Sequence, residues 1–175
     1  MKTLSALLAG LSLVISPLQA SAGGIASAAP AALPRAVGPV LSFQLTPQQI
    51  TQRYASAKTQ LEAALRLVVA LPSDQRTFAN TVEAMESASA DFSDAVEPMS
   101  ILGYVAADPL VREAARGLEE EAGQYQIALW ARPEIYRAFK QYADKKETLT
   151  GEDARLFEDT ARGFKSSGHA LSEAD

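Results

Sequence analysis

The sequence predicts an all-α protein, an antiparallel bundle of about five helices preceded by a signal peptide and a linker. Apolar residues recur at alternating spacings of three and four in several segments, which is typical of helices with one buried face. Thr46-Pro47 and Asp108-Pro109 each combine an N-cap residue with proline at the first helical position. No segment alternates apolar and polar residues with period two, so no sheet is predicted.

The first 22 residues have the pattern of a signal peptide. Lys2 supplies a positive start, residues 4–18 are largely apolar, and residues 20–22 (Ala-Ser-Ala) offer a cleavage site. Residues 26–28 are a second candidate site. The apolar run is short for a membrane span, although an uncleaved N-terminal anchor is the alternative. We therefore expect an exported protein, periplasmic or extracellular, that has no membrane association after cleavage.

Residues 23–40 are rich in Ala, Gly and Pro and carry one charge, Arg35, which is typical of a linker. The helical domain is then predicted over residues 41–175. The chain has no cysteine, so its stability depends on packing without disulfides.

The first helix is predicted to start at Thr46, with Gln49 completing a capping box, and to stop at Pro72. The second is predicted to start at Thr77 or Asn80 and to end near Val96, before Pro98. Residues 99–107 are then an apolar connection. The expected inner faces are Ile50, Tyr54, Ala57, Leu61, Ala64 and Val68 in the first helix, and Phe78, Val82, Met85, Ala88 (or Ser89) and Phe92 in the second.

The third helix follows Asp108-Pro109 and has the clearest periodicity. Its apolar seam is a double heptad that predicts lengthwise packing on a neighbouring helix. The seam consists of Val111, Leu118 and Tyr125, together with Ala115, Ala122 and Leu129. A short fourth helix is predicted from Pro133, with Ile135, Tyr136, Phe139 and Tyr142. A fifth helix is predicted after Thr148 or Thr150, with Ala154, Phe157, Ala161 and Phe164 facing inward. Gly168 is expected to end it in the left-handed conformation, and Ser172-Glu173 to begin another helix.

Composition argues against several functions. The net charge of −5, with basic residues scattered among acidic ones, disfavours a nucleic-acid partner. There is no P-loop, dinucleotide-binding turn or nucleophile elbow. His169 is the single histidine, and we expect its imidazole to be exposed and to face helix carbonyls rather than to bind zinc. No catalytic, cofactor-binding or metal-binding residue is predicted.

Two groups of residues allow a functional and a structural interpretation. Glu119-Glu120-Glu121 could form an acid/base pair or a cation site, but a solvated helix face is favoured because adjacent helical residues point in different directions. The aromatic residues could line a groove for a peptide or a protein, but a helical core is favoured. These aromatic residues are Tyr125, Trp130, Tyr136, Phe139 and Tyr142.

A series of short motifs follows in a recognisable order between residues 45 and 171. They are Leu45-Thr46-Pro47-Gln48-Gln49-Ile50, Leu71-Pro72, Thr77-Phe78-Ala79-Asn80-Thr81, Val105, Asp108, Val111-Arg112-Glu113-Ala114, Arg132-Pro133-Glu134-Ile135-Tyr136, Leu149, Glu152, Ala154-Arg155, Phe164, Ser167-Gly168 and Leu171. In this order and spacing they resemble the N-terminal helical region of the thimet oligopeptidase and peptidyl-dipeptidase family of zinc metallopeptidases. Ala79 departs from the acidic residue common in that family.

The resemblance implies one wall of a deep, narrow channel that admits short peptides to a zinc site. The family's His-Glu-x-x-His helix and distal glutamate ligand do not occur among these residues, so no catalytic or zinc-binding role is carried over. The expectation is the channel-wall portion of an exported zinc oligopeptidase, incomplete at its C-terminus and inactive as it stands, with short peptides as partners. Marginal stability or self-association through the seam is also expected. The alternatives are a free-standing exported helical module that binds a peptide or protein, and a remnant that yields no stable protein.

Overall fold

A computed structural model describes residues 44–169, which form a helical bundle without any strand in that range. The all-α class predicted from the sequence is confirmed. The helices are α1 (Pro47–Ala70), α2 (Ala84–Ser100), the one-turn α3 (Leu102–Val105), α4 (Pro109–Trp130), α5 (Pro133–Ala143) and α6 (Gly151–Phe164). A π-type turn, Ala79–Glu83, leads into α2, and another, Lys165–His169, follows α6. None of the helices in this range is both long enough and apolar enough to cross a membrane.

Several predictions concern residues outside this described range. They are the signal peptide at residues 1–22, the linker at residues 23–40, the match at Leu171 and the helix start at Ser172-Glu173.

The start of α1 matches the sequence prediction. The Gln49 backbone N–H donates to Thr46 Oγ1 at 3.2 Å, and the Thr46 N–H donates to Gln49 Oε1 at 2.9 Å, so the capping box is complete. The inner face differs at one position, since Leu65 is buried and Ala64 is half-buried. Both lie one turn beyond Leu61, and the larger side chain removes more apolar surface from water when it occupies the core.

The second helical segment begins as predicted. Asn80 and Thr77 form reciprocal side chain–backbone hydrogen bonds of 2.8 and 3.2 Å, the same capping arrangement as in α1. The prediction that Pro98 ends this helix is wrong, because α2 continues through it to Ser100. Proline costs a helix one hydrogen bond. Burial of Met99 and Leu102 on the core side offsets that cost, so residues 99–107 are largely helical rather than a simple connection.

Helices α1, α2 and α4 form the main core. Tyr54 packs on Phe92, and Phe92 packs on Tyr125, with ring centroids 6.2 and 5.8 Å apart. All six seam residues of α4 are buried, as the double heptad predicts. Helix α4 starts at the Asp108 N-cap, whose carboxylate accepts from the Leu110 N–H at 2.9 Å.

Helices α5 and α6 close one end of the bundle. Of the four residues predicted to face inward from α6, Phe164 is buried and the other three are half-buried. Helix α6 follows Thr150, whose side chain makes no capping hydrogen bond. Gly168 has a φ of 93°, so the left-handed end predicted for it is confirmed.

Candidate functional site

His169 is packed against the bundle rather than exposed. Its Nε2 lies 2.9 Å from the Trp130 carbonyl oxygen at the end of α4, so the predicted contact with a helix carbonyl is present. The ring stacks on Tyr136 with centroids 4.5 Å apart. The expectation of an exposed ring is wrong because this stacking removes one ring face from water.

The described residues do not fit a zinc site. Over residues 44–169, no group of three or more His, Cys, Asp or Glu side chains is placed to hold a metal ion. The one imidazole is already engaged with Trp130 and Tyr136. Zinc in proteins takes three or four such ligands, so this part of the chain offers no zinc chemistry.

The three consecutive glutamates of α4 are exposed and do not converge. Glu119 accepts a hydrogen bond from the Tyr104 hydroxyl at 3.1 Å, Glu120 accepts one from Gln124, and Glu121 faces Lys58 at 3.9 Å. Carboxylates held apart in this way cannot share one proton or one cation. The interpretation as a solvated face agrees with these contacts.

The aromatic residues near the end of α4 form core rather than an open groove. Trp130, Tyr136 and Phe139 all meet Phe164 of α6, with ring centroids 5.7, 5.5 and 5.0 Å apart. Helix α6 therefore occupies the space that a peptide would need.

The remaining two aromatic residues of this group lie elsewhere. Tyr142 packs between Phe78 and Phe157. Its burial and its hydrogen bond to Glu147 raise the pKa of Tyr142 to about 12. Tyr125 packs on α2, away from this group.

Sequence reasoning did not find an ionic network that joins α1 to the corner between α4 and α5. The Arg132 guanidinium donates to both Glu62 carboxylate oxygens, at 2.7 and 2.9 Å, and the Tyr125 hydroxyl donates to Glu62 Oε1 at 2.8 Å. The hydrogen bond from Arg132 lowers the pKa of Glu62, and the same hydrogen bond raises the pKa of Arg132. Burial, followed by the contact with Glu62, raises the pKa of Tyr125.

Lys58 extends this network along the same side of α1. Its ammonium lies 4.5 Å from the centre of the Tyr125 ring and 5.9 Å from that of Tyr54, in cation–π contact. Burial, and then the Glu121 carboxylate, raise the pKa of Tyr54. The charged and aromatic groups of this network bind one another, so it stabilises the α1–α4 contact.

A second arginine closes the C-terminal end of α1. Arg76 is 3% exposed, and its guanidinium donates to the carbonyl oxygens of Val68, Val69 and Leu71, and to the Gln141 side chain. Burial lowers its pKa. A cleft of about 330 Å³ lies beside it. The donors of Arg76 are mostly used by the backbone, so the cleft does not present a concentrated binding charge.

The exposed side of α3 is the candidate binding surface. Tyr104 and Val105 follow Ile101 by three and four residues, and the three side chains are 68%, 59% and 48% exposed in that order. We call these three residues the α3 face. Large apolar side chains grouped on one exposed face are typical of interaction sites.

The α3 face is held firmly from behind. Arg116 donates to the Gly103 carbonyl at 3.1 Å, and Arg112 donates to those of Ala106 and Ala107 at 2.6 and 2.8 Å. A Cβ at Gly103 would lie 3.1 Å from Arg116 Cγ, so glycine permits the close approach of α3 to α4. The exposed apolar side chains therefore sit on a fixed backbone.

These features define a helical module whose buried polar groups serve the fold and which exposes a group of apolar residues at α3. No protein-family model matches the sequence. A curated protein, the thimet-like oligopeptidase of Dictyostelium discoideum, is 28% identical to the chain over 136 residues. The match covers 75% of this chain and 20% of the relative, so the chain spans about a fifth of the relative's length.

Proposed function

We propose that this chain is the N-terminal, channel-wall portion of an exported zinc oligopeptidase of the thimet type, and that it is inactive as it stands. The observation that carries the proposal is the similarity to the thimet-like oligopeptidase over 136 residues. The channel would admit short peptides. Export rests on the signal-peptide pattern of residues 1–22.

The positions of the motifs that carry the family resemblance support a role in building a wall. The Thr46 and Thr77 motifs form the capping boxes that start the first two helical segments, and Asp108 caps α4. In the Arg132-Pro133-Glu134-Ile135-Tyr136 motif, Arg132 pairs with Glu62 and Ile135 is buried. These residues determine where helices begin and how they pack, so the likeness concerns architecture rather than chemistry.

The residue types support the proposed inactivity. A His-Glu-x-x-His site needs two histidines, and these 175 residues contain one. That histidine packs against Trp130 and Tyr136. Catalysis by such an enzyme would therefore require residues supplied from outside this sequence.

A peptidase assay tests the claim of inactivity. The purified chain is incubated with quenched fluorescent peptides, with zinc and then with a chelator, and the Dictyostelium discoideum relative serves as the positive control. We expect no turnover above buffer from the chain. Turnover that a chelator abolishes and zinc restores would show that it carries a metal site of its own.

The second candidate is a free-standing exported module that binds a protein or peptide, and the exposed α3 face favours it. In that case the chain alone, without any peptidase catalytic domain, would bind a partner. Only the first candidate predicts that the chain can replace the matching segment of the relative without loss of peptide cleavage.

A further inference from the structure

The side of the bundle formed by α2 and α3 carries a strong charge bias. Residues 77–111 contain six Asp and Glu residues and no Lys or Arg. Five of these acidic residues are exposed: Glu83 at the end of the π-type turn, and Glu86, Asp91, Asp94 and Glu97 in α2. The buried residues of α2 lie on the opposite side, so the acidic residues form a ridge along the outer face of this helix.

The acidic ridge leads directly into the α3 face. Ile101 follows Glu97 by four residues, and the backbone stays helical between them, with the Ile101 N–H donating to the Glu97 carbonyl. Residues four apart lie on the same side of a helix. Tyr104 and Val105 continue that side by a further turn, so an acidic ridge and an apolar patch share one continuous surface.

Two arginines of α4 lie close to this surface, and both are bound to backbone carbonyls. Arg112 and Arg116 turn toward the backbone of α3, where they donate to the carbonyls of Ala106, Ala107 and Gly103. Their guanidinium groups thus hold the backbone of α3 against α4. Glu119 adds a further carboxylate at the rim, where it accepts from the Tyr104 hydroxyl.

We propose that the α3 face and the acidic ridge together bind a partner polypeptide segment in which lysine or arginine residues adjoin large apolar side chains. Opposite charges steer such a segment to the ridge, and burial of its apolar residues against Ile101, Tyr104 and Val105 holds it there. A second copy of this chain is disfavoured as occupant, because two ridges of like charge would repel each other. This proposal does not depend on the proposed function.

The test uses the full chain and a defined probe. The probe is a fluorescein-labelled synthetic peptide with lysines along one helical side next to a leucine and a phenylalanine, and the comparison peptide carries glutamates in place of the lysines. Binding is followed by fluorescence anisotropy at low and high salt. We expect the lysine peptide to bind, high salt to weaken it, and the glutamate peptide not to bind.

Matched variants locate the binding surface. The double substitution Tyr104→Ser, Val105→Ser should weaken binding of the lysine peptide about tenfold, as expected when apolar contact residues are truncated. Ile127→Ser is the control, since Ile127 is 76% exposed on the outer side of α4. Glu97→Lys should also weaken binding, whereas Glu158→Lys, an exposed site on α6, should not. All four variants change exposed side chains, so their thermal unfolding should match that of the parent chain.

Four results would overturn the proposal: no binding of the lysine peptide, equal binding of the glutamate peptide, equal weakening by Ile127→Ser, or a chain dimer that Tyr104→Ser, Val105→Ser dissociates. Analytical ultracentrifugation of the parent chain and the double variant detects the dimer, which would show that a second copy covers the α3 face.

Discussion

The Arg132 guanidinium holds the Glu62 carboxylate through two hydrogen bonds, and so fixes the N-cap residue of α5 to the C-terminal half of α1. The two residues are 70 positions apart in the sequence, and their side chains are 33% (Arg132) and 27% (Glu62) exposed. Bidentate pairs between arginine and a carboxylate are stronger and more directional than ordinary surface ion pairs. This pair therefore ties the corner between α4 and α5 to α1.

Removal of the Glu62 carboxylate should lower the free energy of unfolding. We expect Glu62→Ala to cost about 2 kcal/mol, because it leaves both the Arg132 guanidinium and the Tyr125 hydroxyl without their acceptor. Urea denaturation of Glu62→Ala, Arg132→Ala and the double variant measures the coupling between the two residues. A coupling energy near zero would contradict the structural role assigned to the pair.

An exposed ion pair in the same chain provides the control for that experiment. Arg162 and Asp159 lie 2.9 Å apart on α6, with side chains 71% and 51% exposed. We expect Asp159→Ala to change stability by less than about 0.5 kcal/mol.

The stability of the chain should fall in acid partly through Glu62. Its pKa in the folded protein lies below the ordinary value of 4.5, chiefly because of the hydrogen bond from Arg132. As pH falls, Glu62 is therefore protonated in the unfolded chain before it is protonated in the folded protein. The stabilisation by Glu62 is present above pH 4.5 and is lost as pH falls through the lower pKa of the folded state. Unfolding free energies measured from neutral pH down to about pH 3 should fall less steeply for Glu62→Gln than for the parent chain. Parallel curves would show that Glu62 contributes nothing to the acid sensitivity.

Arg76 should be among the most sensitive polar positions. Arg76→Met should cost about 3 kcal/mol, because the three carbonyl oxygens at the end of α1 lose a buried donor. Arg76→Lys should restore only part of this loss, since an ammonium lacks the planar fork that reaches several acceptors. The control is Arg137→Ala, because Arg137 is an exposed arginine beside the same cleft. Chemical denaturation of the three variants should show that Arg137→Ala changes the free energy of unfolding by less than about 0.5 kcal/mol. Equal effects at the two arginines would be inconsistent with the capping role.

Phe164 should control the attachment of α6. Its side chain is 3% exposed and contacts Trp130, Tyr136 and Phe139, so Phe164→Ala should cost about 3–5 kcal/mol locally. Hydrogen exchange should accelerate in residues 151–164 more than in α1, because α6 would open without the main core. Phe157→Ala, at a half-buried site on the same helix, should have a smaller effect. Equal acceleration in α1 and α6 would mean that α6 does not open independently.

The helix starts could be predicted because their signals are local. Thr46 with Gln49, and Asp108 with Pro109, place donors, acceptors and a fixed φ within one turn, so tertiary contacts are not needed to recognise them. The path of the chain at Pro98 could not be predicted in this way. There the helix continues with Met99 and Leu102 buried, and the local proline signal does not indicate this burial.

The long-range polar contacts and the α3 face could not be predicted from the sequence. Glu62 lies beside the apolar stripe of α1 and gives no sign that its partner is 70 residues away. The sequence does not reveal the α3 face, because Pro98 predicts that residues 99–107 form a connection, whereas Ile101, Tyr104 and Val105 have helical spacing. The helical periodicity of α6 does predict that Phe164 faces inward. It does not predict that Phe164 packs against Trp130, Tyr136 and Phe139.

The central claim, that this chain is the wall of a peptidase channel, is tested most directly by a chimera. The matching segment of the Dictyostelium discoideum thimet-like oligopeptidase is replaced by the aligned region of this chain, and cleavage of short peptides is measured with and without a chelator. If the claim holds, the chimera folds and retains chelator-sensitive cleavage of short peptides, whereas the relative with that segment deleted loses it. A folded chimera that is as inactive as the deletion variant would contradict the account.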